Sequence, residues 1–450
     1  EYKRLGIFGK VDYAFQDKYL FSGTIRRDGH SRFGSQNQFG TFGAASVAWR
    51  ISEESFLSGV SFIDDLKIKA SYGILGNAEI GNFLTRTNYG ASTGQYDNQS
   101  TLTITQIGND QITWEEEESL NIGIDFAVFN NRLYGSIDAY RTNNNELLFQ
   151  VPFLQTSGIN PSPPPAPQTT PSVISNNGSI RNEGIDIDLG GVVYDRGGFK
   201  WTSNFNISFL RNEVTGLVDG DTLQTGNNPQ LIVGQPVNFF YLVDYAGVNP
   251  ATGQALVRDN DGNISYNPTF NDEGVQGSPI PTQFGGLTNT FSYKGITLDV
   301  FFQFQLGNEA VNQDLFNILD PGGNDNRRVD ILNRWQQPGD VTGYPQLTTN
   351  GNINGIDQQF GAFGSTRYMS DASYVRLKTL TVSYDFSKKL LDKIGFRSAR
   401  IYAQGVNLLT WTEFDGIDPE VVSDNNNTGG SSFGNFPLGR IYSVGLNLGF

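Results

Sequence analysis

The sequence predicts an all-β chain whose strands cross a membrane, and three observations carry that prediction. The 450 residues include 53 Gly, 33 Phe and 19 Tyr, a usage that favours strands and tight turns over helices. Apolar and polar residues alternate over long segments: Leu120, Ile122, Ile124, Phe126 and Val128 share one parity, and Ser119, Asn121, Gly123 and Asp125 the other. Such a period of two marks strands with one greasy face. The alternating segments are also long, about ten to fifteen residues, which exceeds ordinary soluble strands and suits a tilted crossing of a bilayer. A soluble sandwich alternates as well; strand length and the succession of short and long connections decide for a transmembrane antiparallel β-barrel. No apolar run approaches the roughly 18 residues of a membrane helix.

Thirteen strands follow in order: 3–15, 19–29, 39–50, 64–74, 114–129, 132–146, 179–194, 199–213, 282–293, 296–308, 371–386, 398–411 and 439–450. The eighth alternates Trp201, Ser203, Phe205, Ile207 and Phe209 against Thr202, Asn204, Asn206 and Ser208. The tenth sets Ile296, Leu298, Val300, Phe302, Phe304 and Leu306 against Thr297, Asp299, Gln303 and Gln305, with Phe301 as the exception. The last sends Tyr442, Val444, Leu446, Leu448 and Phe450 outward. Short links at 16–18, 51–63, 130–131, 195–198, 294–295 and 387–397 read as periplasmic. Long ones at 75–113, 147–178, 214–281, 309–370 and 412–438, with a shorter one at 30–38, read as extracellular. The first and last strands then run the same way, so the count is odd. Barrels of this kind have even counts, which implies further strands before Glu1, about nine for a barrel of about 22.

Charge and composition exclude much chemistry. Lys and Arg total 31 against 46 Asp and Glu, a formal charge of −15, which leaves no footprint for nucleic acid. With no Cys, one His (His30) and one Met, thiolate metal sites, Cys nucleophiles and His-based triads fall away. The expectation is that the chain is not an enzyme.

A series of segments, in order along the chain, resembles the SusC/RagA-like TonB-dependent transporters of Bacteroidota outer membranes. It begins with Asp17-Lys18-Tyr19-Leu20, Arg26-Arg27-Asp28-Gly29 and Ser31-Arg32-Phe33-Gly34, and continues through Ala48 to Glu54, Ala70-Ser71-Tyr72-Gly73, Trp114-Glu115 and Asn182-Glu183-Gly184-Ile185. The most specific segments are Asp371 to Lys378, Asn407-Leu408-Leu409-Thr410-Trp411, Asp418-Pro419-Glu420 and Pro437-Leu438-Gly439-Arg440. The resemblance implies a 22-stranded barrel filled by an N-terminal plug, opened by TonB and covered by a SusD-like surface lipoprotein, with oligosaccharide or peptide as cargo. Neither plug nor TonB-contacting segment is found in these residues. The expected function is energy-coupled import of such oligomers; a passive porin or adhesin barrel and a secreted all-β carbohydrate-binding protein are the alternatives.

Candidate site residues are few. Trp335, Tyr344 and Phe360, in an outer loop, are of a type that stacks on sugar rings or peptide side chains. Asp259, Asp261 and Asn263 space oxygen atoms around Gly262 as a structural Ca²⁺ loop does, although position twelve is Phe270 rather than Glu; an Asx-rich turn is the plainer reading, and no other cofactor is expected. Gly430-Ser431-Ser432-Phe433-Gly434 matches a nucleophile elbow, without strand, helix or His to support it. Glu115 to Glu118 read as a solvated strand end, Pro161 to Pro167 as stiff loop chain, and His30 as surface. Trp49, Trp114, Trp201 and Trp411 are expected at the membrane interface, and Asp186, Asp188, Asn204, Asn206, Asp299, Gln303 and Gln305 toward plug or lumen water.

Overall fold

The computed structural model describes all residues except 1, 97–98, 153–171, 218–219, 226–227, 320–325, 354, 358–363, 394, 422–429 and 433. Thirteen strands form one sheet in chain order. They are β1 (Arg4–Phe15), β2 (Tyr19–His30), β3 (Phe39–Arg50), β4 (Ile63–Asn77), β5 (Glu115–Val128), β6 (Leu133–Pro152) and β7 (Ser172–Arg196), then β8 (Phe199–Leu217), β9 (Gln283–Tyr293), β10 (Ile296–Leu306), β11 (Tyr374–Asp385), β12 (Ser398–Thr412) and β13 (Ile441–Gly449). Each expected strand is present. Four run further than the alternation shows, β4 to Asn77, β6 to Pro152, β7 back to Ser172 and β8 to Leu217; in β6 the added Leu147-Leu148-Phe149 is apolar at consecutive positions and so leaves no period of two to read.

The chain forms two compact units, Glu1–Gly191 with Ser208–Val237, and Val192–Ile207 with Asn238–Phe450. In the first, register aligns the faces: Ile122 opposes Ala139 and Ile124 opposes Ile137, while Asn121 opposes Tyr140 and Gly123 opposes Asp138. The apolar face is open, with Ile122, Ile124, Ile137 and Ile185 all exposed, as a lipid-facing wall requires. In the second unit β10 pairs with β9 and β11 in the same manner.

The short links are tight because their central residues adopt left-handed backbone. Asn130 and Asn131 have φ of 58° and 57°, Gly197 and Gly198 63° and 80°, the geometry that two-residue hairpin turns demand. Aromatic rings gather at these turns: Phe15, Tyr19 and Trp49 in series and Phe62 on Phe129 in the first unit, Tyr194 on Phe199 and Phe396 on Phe450 in the second. This is the girdle expected where a barrel wall meets the interface.

Glycines seat the inward aromatic rings. A Cβ at Gly286 would lie 2.7 Å from the Phe301 ring, so Phe301, the exception to the alternation of β10, occupies space that its cross-strand neighbourhood leaves vacant. Phe42 likewise lies over Gly40 and Gly76, and Tyr402 over Gly445.

The dry cores sit where the ends of wall strands meet the long connections. Phe33, Phe42, Ile80, Ile112 and Trp114 form one, and Val214, Leu223 and Leu231 another, in the first unit. Trp114 is thus 6% exposed, correcting its expected place at the interface: its indole nitrogen donates to Asn37 O at 3.1 Å. His30 is also corrected, from surface to 3% exposed, stacked on Tyr2 and edge-on to Phe33. In the second unit a four-stranded sheet, Phe240–Val248 with Ala255–Arg258, Ile264–Ser265 and Glu273–Gly277, buries Val243, Ala255 and Val257.

Candidate functional site

Two constellations stand out, one among the connections of the second unit and one on the inner wall of the first. The former ties down the segment that follows β12. Ser431 pairs in parallel with Val311, and Phe414 packs with Ala310 and Ala372. Asp314 accepts from Gly434 N at 3.0 Å, and Arg328 Nη1 reaches Asp415 Oδ1 at 2.9 Å. The Gly430 to Gly434 motif therefore anchors this segment; Phe433 lies outside the described residues.

The strongest tie joins two of the specific sequence segments. Arg376, on β11, is 2% exposed and donates through Nη2 to Asp418 Oδ1, itself 7% exposed. Its Nε lies 3.1 Å from Glu420 Oε2, and Lys378 Nζ lies 2.6 Å from Glu420 Oε1. Leu438 N donates to the second Asp418 oxygen at 3.1 Å. Asp371 to Lys378, Asp418 to Glu420 and Leu438 thus converge on one buried ion cluster. Buried charges are stable only when paired and hydrogen-bonded, so each member depends on the others.

The inner wall carries the second constellation. Lys67 and Lys69 bracket Asp125 at 2.6 and 2.8 Å, and Lys69 reaches Asp138 at 3.0 Å. Sequence reasoning missed these four; their alternation places them on the polar face, but only the register that sets Lys67 opposite Asp125 makes them partners. Of the expected inward residues, Asp299 accepts from Thr290 Oγ1 at 2.6 Å and Gln303 donates to Tyr374 Oη at 3.2 Å. Asp186 and Asp188 are exposed. At the long-connection end of this wall a cavity of about 390 Å³ is lined by Arg4, Arg26, Asp28, His30, Asn77 and Trp114.

Two of the three loop candidates are packed within the second unit. Trp335 is 8% exposed; its indole nitrogen donates to Pro250 O at 2.8 Å, its backbone N–H to Tyr344 O at 2.9 Å, and its ring fills the space over Gly253. Tyr344 packs against the cluster of Leu315, Leu319 and Tyr368. Phe360 and Pro161 to Pro167 lie outside the described residues. Asp259 accepts from the N–H groups of Asp261 and Asn263 at 3.0 and 2.7 Å, an Asx turn. Among the described residues no three His, Cys, Asp or Glu are grouped to hold a metal. Glu115 receives Asn77 Nδ2 at 2.8 Å and Leu148 N at 3.0 Å, so this end of the acidic run is bonded rather than merely solvated.

Comparison with known proteins follows from this architecture. The family model described as TonB dependent receptor-like, beta-barrel, matches residues 1–408. TonB-dependent receptor P3 of Formosa agariphila is 31% identical over 482 residues, covering 100% of this chain and 46% of its own length. TonB-dependent receptor SusC of Bacteroides thetaiotaomicron is 27% identical, covering 98% of this chain and 43% of its own. A solved structure of the RagAB peptide transporter matches with a TM-score of 0.84 at 29% identity, over 99% of this chain and 48% of that one. This chain thus spans about half the length of the relatives it matches. It belongs to the TonB-dependent receptor barrels of the outer membrane, of the SusC/RagA type, a family of transporters and not of enzymes.

Proposed function

We propose that the protein containing this chain imports oligomeric nutrients, oligopeptide or oligosaccharide, across the outer membrane in a TonB-dependent manner, with a SusD-like surface lipoprotein as lid. The observation that carries this reading is the likeness to the RagAB peptide transporter over 99% of the chain, supported by SusC over 98%. Within it, the paired inner-wall charges Lys67, Lys69, Asp125 and Asp138 hold a plug by hydrogen bonds, as do Asp186, Asp188, Asn204, Asn206, Asp299, Gln303 and Gln305. The buried cluster around Arg376 keeps the last long connection folded on the wall, leaving Trp335 and Tyr344 to brace the neighbouring loop.

The test is uptake of labelled oligopeptides and oligosaccharides by cells carrying or lacking the full-length gene, with and without a working TonB. Uptake of one class that requires both genes is expected, together with a lipoprotein that co-purifies with the receptor. Uptake that persists without TonB would leave a passive barrel instead.

A further inference from the structure

On the lipid-facing side of the first unit, charges begin where the apolar band ends. The outward positions of β6 run from Leu133 through Ile137 to Ala139, and those of β7 from Leu189 through Ile187 to Ile185. The next outward pair is Arg141 with Glu183, and the one beyond it Asn143 with Arg181. Leu133 and Arg141 are eight residues apart, about 27 Å of strand and about 20 Å across a membrane at a tilt of about 40°. Arg141 therefore stands at the edge of an apolar band about 25 Å tall, on the side away from the short turns, which is the outer leaflet in barrels with short periplasmic turns.

The arginines there are held but not saturated. Arg141 Nε donates to Glu183 Oε2 at 2.9 Å, the hydrogen bond that holds its guanidinium. Arg211, on β8, reaches Glu183 at 3.8 Å and Glu213 at 2.9 Å. Arg181 Nε donates to Asn143 Oδ1 at 3.2 Å. The side chains of Arg141 and Arg211 are open, at 55% and 68%, and Arg181 is half-buried. Glu118 shares the face, opposite Asn143. In the second unit the lipid-facing positions of β9 to β13 carry no charge at all, so the cluster belongs to one sector of the wall in a chain of formal charge −15.

We propose that Arg141, Arg181 and Arg211 bind a phosphorylated lipid headgroup of the outer leaflet. Glu183 and Glu213 fix the guanidinium planes, and the remaining Nη donors meet phosphate oxygens in the forked geometry that arginine offers. The height of the cluster selects a lipid over a free anion, because the acyl chains of that lipid then lie along Ile137, Ile185 and Ile187.

The test uses the full-length receptor in detergent, titrated by native mass spectrometry with bis-phosphorylated lipid A, with its dephosphorylated form and with inorganic phosphate. The phosphorylated lipid is expected to bind at least tenfold more tightly than the dephosphorylated one. The triple variant Arg141→Gln, Arg181→Gln, Arg211→Gln is expected to abolish that difference while migrating as a folded, heat-modifiable barrel, and Arg196→Gln at the short-turn end to keep it. Should the triple variant fail to fold, Arg141→Lys alone, which keeps the charge and loses the fork, is expected to weaken binding several-fold. Equal binding of the two lipids, an unchanged Arg141→Lys protein, displacement by an equal concentration of inorganic phosphate, or a change confined to self-association would overturn the proposal.

Discussion

The wall and the long connections of this protein solve burial in opposite ways. The wall alternates, keeps its apolar residues exposed and leaves them to lipid; Ile122, Ile124, Ile137 and Val444 are all open to the surroundings. The connections bury their apolar residues in small dry cores and even bury charge, as where Asp418 meets Arg376 of the wall strand β11. The lesson is that hydrophobicity alone does not locate a core here. An apolar side chain on the wall needs an external partner, whereas in the connections it needs its neighbours, and mutations should divide along the same line.

The largest effect is expected from Arg376→Ala, which strands Asp418 as a buried charge without its cation and leaves Glu420 to Lys378 alone. Removing one member of such a pair destabilises by about 3–5 kcal/mol. Limited proteolysis should then cut within 413–440 while the heat-modifiable mobility of the barrel persists; an unchanged cleavage pattern would mean that the cluster does not hold that segment. Next is Ile124→Arg on the lipid face, near the middle of the apolar band of β5, where a cation costs about 2–4 kcal/mol. Asn121→Lys, on the polar face of the same strand, should fall well below it when both are measured by denaturant refolding into vesicles, and equal effects would collapse the distinction between the faces.

A third variant, Gly286→Ala, forces a Cβ against the Phe301 ring, an overpacking of about 1–3 kcal/mol. Adding Phe301→Leu should recover most of that loss in the same refolding assay; if it adds a second loss, the seat is not the cause. The smallest effect is one of pH. Glu273, in the four-stranded sheet, is 2% exposed and its Oε2 has no hydrogen-bond partner, so burial pushes its carboxyl from 4.5 up to about 7. A carboxyl raised in the folded state favours folding fully below 4.5, and that contribution fades as pH climbs through about 7. Amide exchange at Val243 and Gly274, corrected for intrinsic rates, should loosen across that interval, and Glu273→Gln should flatten the profile.

How much was legible in the sequence follows the same division. The wall was readable because a strand pointing one face at lipid must alternate, and every expected strand is present. Register was not readable, since alternation fixes faces and not partners; Lys69 and Asp138 are paired at 3.0 Å although 69 positions separate them. The connections gave weaker signals. Trp114 and His30 looked exposed because position along the chain says nothing about what folds over it, and the hairpin of Asn88–Tyr96 with Gln99–Gln106 was missed within a polar stretch of mixed period. The segments around Arg376 and Asp418 could be recognised but not joined, because the contact spans 42 positions and an intervening strand.

The aromatic seats carry a consequence for how such a wall is assembled. A strand with a two-residue period can slide by two positions and still present its greasy side outward, so alternation tolerates that error. Tyr402 faces Gly445 in the native pairing of β12 with β13. Slid by two, its ring would meet Ser443 or Asn447 instead, both of which carry the Cβ that the seat excludes. Each ring over a glycine is thus a key that fits one notch, and a handful of them can proofread a zipper whose teeth are otherwise alike.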